Sequence, residues 1–157
     1  MNSNQYQQLL RPLNGSRVAQ RDQAGRKLSY LEAWDVKAHL IRIFGFGGWN
    51  WTVTAAELAF EDKTEKGTWN VGYKVIGTLT VPCLEFCSYT EAAVGSATLG
   101  QRGEAHDMAI KTAESDALKR AAINLGDQFG LSLYNNGSLQ PVVGKTLDRD
   151  DNGDSNE

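Results

Sequence analysis

Between Thr68 and Val81 the chain reads TWNVGYKVIGTLTV. Every second residue from Trp69 onward (Trp69, Val71, Tyr73, Val75, Gly77, Leu79 and Val81) is apolar or glycine. Successive side chains of a strand point to opposite faces, so this period of two commits the segment to a strand with one buried face. Such a strand needs partners, and the flanks supply them. WNWTVTAAELAF, residues 49–60, carries Trp49, Trp51, Val53 and Ala55 on one side, and LEFCSYTEAAV, residues 84–94, alternates more weakly. The connectors EDKTEKG and PC suit hairpins, so the three strands read as an antiparallel meander.

Helical patterns bracket the meander. SYLEAWDVKAHLIRIFG, residues 29–45, offers Ser29 as an N-cap with Glu32 three residues later, and Gly45 as a stop. Its apolar stripe is Leu31, Trp34, Ala38 and Ile41, with Leu40 and Phe44 less regular. Lys37 and Arg42 fall off that stripe. GSATLGQRG, residues 95–103, reads as a glycine-spaced loop, followed by a second long helix from about Glu104 to Leu125. A small helix is expected near Tyr6–Leu10. The fold class is therefore α+β: helix, three-stranded antiparallel meander, long helix.

The 157 residues, 41% of them hydrophobic, suffice for one domain with a real core. Charge is uneven. Residues 1–27 hold Arg11, Arg17, Arg21, Arg26 and Lys27 against Asp22 alone, a basic N-terminal arm of local charge +4. From Ser138 onward five acids face Lys145 and Arg149, a local −3 that equals the charge of the whole chain. The expected organisation is this arm, one folded domain over 28–135, and a disordered acidic tail over 136–157. Low pI does not exclude an anionic partner, because a local basic surface matters more than net charge. Cys83 and Cys87, in what reads as a strand, lack zinc-ligand spacing and a neighbouring histidine, and no metal or cofactor is expected. No apolar stretch approaches a membrane span, and the start lacks a signal-peptide pattern, so a reducing, cytoplasmic interior is expected.

On the second long helix Lys111, Ser115 and Lys119 form one row and Arg120 lies on the next strip, opposite Ile110, Ala117, Leu118, Ala121 and Leu125. Spacing alone leaves two readings open: a solvated face, the commoner case, or a track for phosphates. FGFGGWNW lacks the lysine and hydroxyl residue of a phosphate-binding loop. Its glycines turn the chain, and Phe46 sits there either to stack on a base or to pack under the turn. A catalytic reading has only scattered material: His106 and Asp107 at the helix start, Glu114, Asp116, and an isolated Glu91. No HExxH, GxSxG or clustered acid motif is present, so the chain does not read as an enzyme.

Taken together, Tyr30, Glu32, the run Phe44-Gly45-Phe46-Gly47-Gly48-Trp49, and Ser115-Asp116-Ala117-Leu118-Lys119-Arg120-Ala121 followed by Gly126 and Gly130 resemble the Rad52 family of single-strand annealing proteins. The resemblance spans residues 28–134. It implies an oligomeric ring of about ten or more subunits that holds single-stranded DNA in an outer basic groove, bases outward. Annealing of complementary strands in recombination and repair would then need no ATP. By position, Lys119 and Arg120 look like the principal DNA-binding pair, and Lys111 aligns with a basic position on the same helix. Arg102 looks like part of a second DNA site for the other strand or a duplex, and Phe46 stands where a tyrosine is common. Asp35 replaces an arginine early in the first helix, with Lys37 and Arg42 as substitutes, and Ile123 replaces a further basic residue. A short bacteriophage or bacterial protein is expected, with a single-strand-binding protein or recombinase as further partners. The same element order also fits a double-stranded RNA-binding module, although such modules are about half this length and carry their lysines at the start of the last helix. A small metal-dependent nuclease using Asp107, Glu114 or Asp116 is the enzymatic alternative, and a ring that binds without annealing a third.

Overall fold

A computed structural model describes residues 1–23, 25–84 and 87–146. Helix α1 (Ser3–Leu9) is followed by a hairpin of β1 (Val18–Gln23) and β2 (Arg26–Leu31), then α2 (Ala33–Phe44). Strands β3 (Asn50–Lys63), β4 (Trp69–Thr80) and β5 (Ser88–Leu99) form an antiparallel sheet in the order β3-β4-β5, and α3 (Arg102–Ala122) closes the set. Three short 3₁₀ turns carry the chain from Ile123 to Tyr134. The α+β meander with a long closing helix is the expected fold.

Helix α3 lies across β4 and β5. Its contact face is a strip of alanines, Ala105, Ala109, Ala113, Ala117 and Ala121, all fully buried. Residues four apart share a helix face, and a strip without long side chains brings the helix axis close to the sheet. Gly95 on β5 completes the approach, since a Cβ there would stand 2.2 Å from the backbone nitrogen of Ala113. Hence 95–99, expected as loop, is strand: Thr98 pairs with Asn70 and Leu99 with Trp69. The glycine serves packing and does not break the strand. Arg102, expected in that loop, is the first residue of α3.

Below the sheet's end lies the main core, built from Val36, Leu40, Ile43 and Phe44 of α2, Leu79, Val81, Leu118, Leu125 and Phe129. Two expectations for α2 fail, each for its own reason. Ser29 caps nothing: it pairs with Gln20 in the β1–β2 hairpin, which turns through Gly25 (φ 77°), and Glu32 is the N-cap residue. Trp34 is 71% exposed, while Asp35 and His39 are buried beside Val36 and Leu40. Partnered polar residues occupy the buried face, so a pattern drawn from apolar residues alone is out of phase.

On β3 a bulge between Val53 and Ala55 moves Ala55 opposite Ile76, off the side shared by Trp51 and Val53. Cys83 and Cys87 sit in the β4–β5 connection instead of a strand, unbridged and half-buried. After Tyr134 the chain is fastened at two points: Asp127 Oδ2 accepts the amides of Val142 and Val143 at 3.0 Å each, and Tyr6 Oη meets Thr146 Oγ1 at 2.8 Å. Residues 147–157, where the rest of the expected acidic tail falls, lie outside the described residues. Among the described residues no helix is long and apolar enough to cross a membrane.

Candidate nucleic-acid interface

The β1–β2 hairpin, the end of α3, β5 and the 3₁₀ turns after α3 enclose an open groove of about 430 Å³. Lys119 and Arg120 line it, with Arg21 and Tyr30 from the hairpin and Ile123 and Tyr134 from the α3 end. Each reaches it for a local reason. Lys119 and Arg120 fall in the last turn of α3, where unpaired carbonyls and the helix dipole favour cations. Tyr30 stands opposite Ala19 and Arg21 opposite Leu28, so Arg21 and Tyr30 are diagonal neighbours on one face of the hairpin.

Carboxylates temper the charge. Lys119 Nζ lies 2.7 Å from Asp116 Oδ1 and Arg120 Nε 3.7 Å from Glu91 Oε2. Both pairs are partly exposed, the class of ion pair that contributes only about 0–1 kcal/mol, so a phosphate can displace them. Lys119 Nζ is 5.6 Å, and the Arg21 guanidinium carbon 5.3 Å, from the Tyr30 ring centroid. Tyr30 Oη donates to Glu32 Oε1 at 3.0 Å, and this bond, foremost, holds the phenol above its ordinary pKa.

The other sequence candidates lie elsewhere. Lys111 is on the exposed side of α3, paired with Asp107 at 2.6 Å. Arg102 is seventeen residues before Lys119, roughly 26 Å along the helix. It is tied to Glu61 at 3.0 Å and lies over the Trp69 ring at 5.3 Å. Phe46, in the α2–β3 turn, is 90% exposed, so of the two readings for it packing under the turn fails. Lys37 is exposed on α2, and Arg42 Nη1 donates to His39 Nδ1 at 3.0 Å. The groove therefore gathers Lys119 and Arg120 and leaves Lys111, Arg102, Phe46, Arg42 and Lys37 outside its lining.

Sequence reading missed several residues. His106, noted only as lying at the helix start, bonds Glu61 Oε2 through Nε2 at 2.6 Å and Tyr73 Oη through Nδ1 at 3.0 Å. Arg102, first, and His106 hold the Glu61 carboxyl below its usual range. Asp35, which stands where the family pattern has a cation, is consumed by Arg17. The guanidinium reaches it at 2.8 Å and also donates to the Gln128 carbonyl at 2.9 Å. Gln128 Nε2 in turn donates to the carbonyls of Arg11 and Pro12, and its Oε1 accepts from His39 Nε2 at 2.8 Å. With Arg42 donating to Nδ1, this is the neutral Nε2–H tautomer. Burial, then Arg17, pushes its pKa down to about 4. Among the described residues no three His, Cys, Asp or Glu side chains are grouped to hold a metal ion.

Residues 2–150 match the family described as Rad52/22 family double-strand break repair protein. Among curated relatives, the DNA repair and recombination protein rti1 of Schizosaccharomyces pombe is 30% identical over 120 residues, 76% of this chain and 32% of its own length. The DNA repair and recombination protein rad22 of the same yeast is 29% identical over 137 residues, 85% of this chain and 29% of its length. The DNA repair and recombination protein RAD52 of Saccharomyces cerevisiae is 29% identical over 133 residues, 83% and 27% respectively. The chain thus spans less than a third of the length of these relatives, all of them fungal. With the family match covering nearly all the described residues and the motifs and meander falling within it, the chain belongs to the Rad52/22 family.

Proposed function

We propose that this chain binds single-stranded DNA along the Lys119–Arg120 groove and anneals complementary strands in recombination and repair, without nucleotide hydrolysis. The observation that carries the reading is that Lys119 and Arg120 of the family motif line one open groove, and that their carboxylate partners are partly exposed and displaceable. Held by its phosphates, a strand keeps its bases free to pair. Affinity should fall with salt at a log-log slope near −0.7 per phosphate neutralised.

Annealing requires many nucleotides to be held at once, and we take the working unit to be a ring of protomers. Among the described residues both outer strands of the sheet, β3 and β5, present an edge without a strand partner, and Val53, Leu58 and Phe60 are exposed on β3. Arg102, with Trp69 beside it, is the natural place for a second DNA segment. Lys111 lies on the helix between the two. A single-strand-binding protein or a recombinase would be the protein partner.

The test is annealing of two complementary labelled oligonucleotides without ATP, by wild type and by Lys119→Ala/Arg120→Ala, with assembly followed by sizing. Annealing by wild type and its loss in an assembled double variant support the reading. Equal annealing by both refutes the groove, and A-form RNA bound in preference to single-stranded DNA refutes the DNA assignment.

A further inference from the structure

We propose that Arg21 is a third phosphate-binding residue of this groove and that the Tyr30 ring is the platform that sets it beside Lys119. The proposal rests on the groove being the single-stranded DNA site. Arg21 belongs to neither motif and lies in the first 27 residues, a basic segment of which Arg17 alone is committed to a buried ion pair among the described residues.

Three observations carry it. First, Arg21 and Lys119 face the same ring, at 5.3 and 5.6 Å from its centroid. A cation is drawn to the face of an aromatic ring, so Tyr30 holds together two positive charges that repel each other in the free protein. Their separation cannot exceed the sum of those two distances. An anion in the groove relieves the repulsion. Second, the platform is rigid: Tyr30 is in the β1–β2 ladder and its hydroxyl is tied to Glu32 at 3.0 Å. Third, the groove's cations are not equally available. Lys119 and Arg120 each have a carboxylate partner, whereas Arg21 makes no ion pair among the described residues. A phosphate reaching Lys119 must displace Asp116. One reaching Arg21 displaces only mobile counterions, and meets a planar fork of donors suited to two phosphate oxygens. The ligand is therefore a phosphodiester backbone gripped from both walls, by α3 on one side and by the hairpin on the other.

The experiment titrates a short labelled oligothymidylate across a range of potassium chloride. The proteins are wild type, Arg21→Ala, Arg21→Lys, Lys27→Ala and Lys119→Ala/Arg120→Ala, each checked by thermal melting. A contact with slope 0.7 contributes about fivefold in affinity at 0.1 M salt. Arg21→Ala should therefore bind at least about fivefold more weakly there, with a slope less negative by about 0.7. Arg21→Lys should restore the slope. Lys27→Ala removes the same charge from the same hairpin outside the groove lining, and should shift affinity by less than twofold. If Arg21→Ala matches wild type or Lys27→Ala while the double variant loses binding, Arg21 is ordinary surface charge and the inference falls with the groove reading intact. If the double variant binds as wild type does, the groove is not the DNA site and both fall together.

Discussion

Asp35→Asn should destabilise the fold by about 3 kcal/mol, the lower end of the cost of breaking a buried ion pair from one side. The pair is well formed: Arg17 Nε lies 3.1 Å from both carboxylate oxygens and Nη2 2.8 Å from Oδ2. The two side chains are only 12% and 10% exposed, so water screens them little. Asparagine keeps one acceptor oxygen, which argues for the lower end. It leaves the Arg17 guanidinium without a counter-charge in a site that also holds the Gln128 carbonyl. For a domain of this size each kcal/mol moves Tm by roughly 2–4 °C, so the fall should be about 6–12 °C. The assay is urea unfolding followed by the fluorescence of the four tryptophans at fixed protein concentration, as a double-mutant cycle with Arg17→Met. A coupling of 1 kcal/mol or more is expected from residues in direct contact. A loss below about 1 kcal/mol, or costs that simply add, would refute the reasoning that this pair staples α2 to the N-terminal segment. The same geometry predicts that Asp35→Arg, which restores the family's cation, costs more than Asp35→Asn and does not improve DNA binding, because it sets two guanidinium groups together in a buried site.

Asp116→Asn should leave stability within about 1 kcal/mol and tighten single-stranded DNA binding by up to about fivefold, because Lys119 loses its competitor; a salt titration reads this. Gly95→Ala should cost about 3 kcal/mol or abolish soluble expression, since the added methyl meets helix backbone at 2.2 and 2.8 Å; melting temperature and yield decide. His39 has a native pKa of about 4, below the unfolded value of 6.5, so the unfolded state binds its proton first. Stability should therefore be full above pH 6.5 and decline by on the order of 2–3 kcal/mol as pH falls towards 4. His39→Gln should flatten that decline in unfolding midpoints measured across the window.

Strand β4 and helix α3 are legible in the sequence because burial on one face writes itself as period two and as a strip of alanines. The β1–β2 hairpin is not legible, because its residues are mostly exposed and only Leu31 is buried, so no alternation marks it. The phase of α2 is hidden by Asp35 and His39, polar residues whose partners, Arg17 and Gln128, lie 18 and 89 residues away. The same distinction governs the site. Lys119 and Arg120 are legible because they sit in a motif. Arg21 becomes visible only when the hairpin register sets it beside Tyr30, and Glu91 only when β5 is laid under α3. Pairings across a sheet edge or between a strand and a helix leave no trace in local spacing.

The closeness of α3 to the sheet also makes that helix a gauge. Its backbone is pressed against Gly95 and cannot flex or slide without collision. Lys111 and Lys119 are therefore graduations on a fixed scale, roughly 12 Å apart along the axis. Any polymer that follows this edge must take its intervals from the protein. The cost of ordering the row of charges is met when the chain folds, before a ligand arrives.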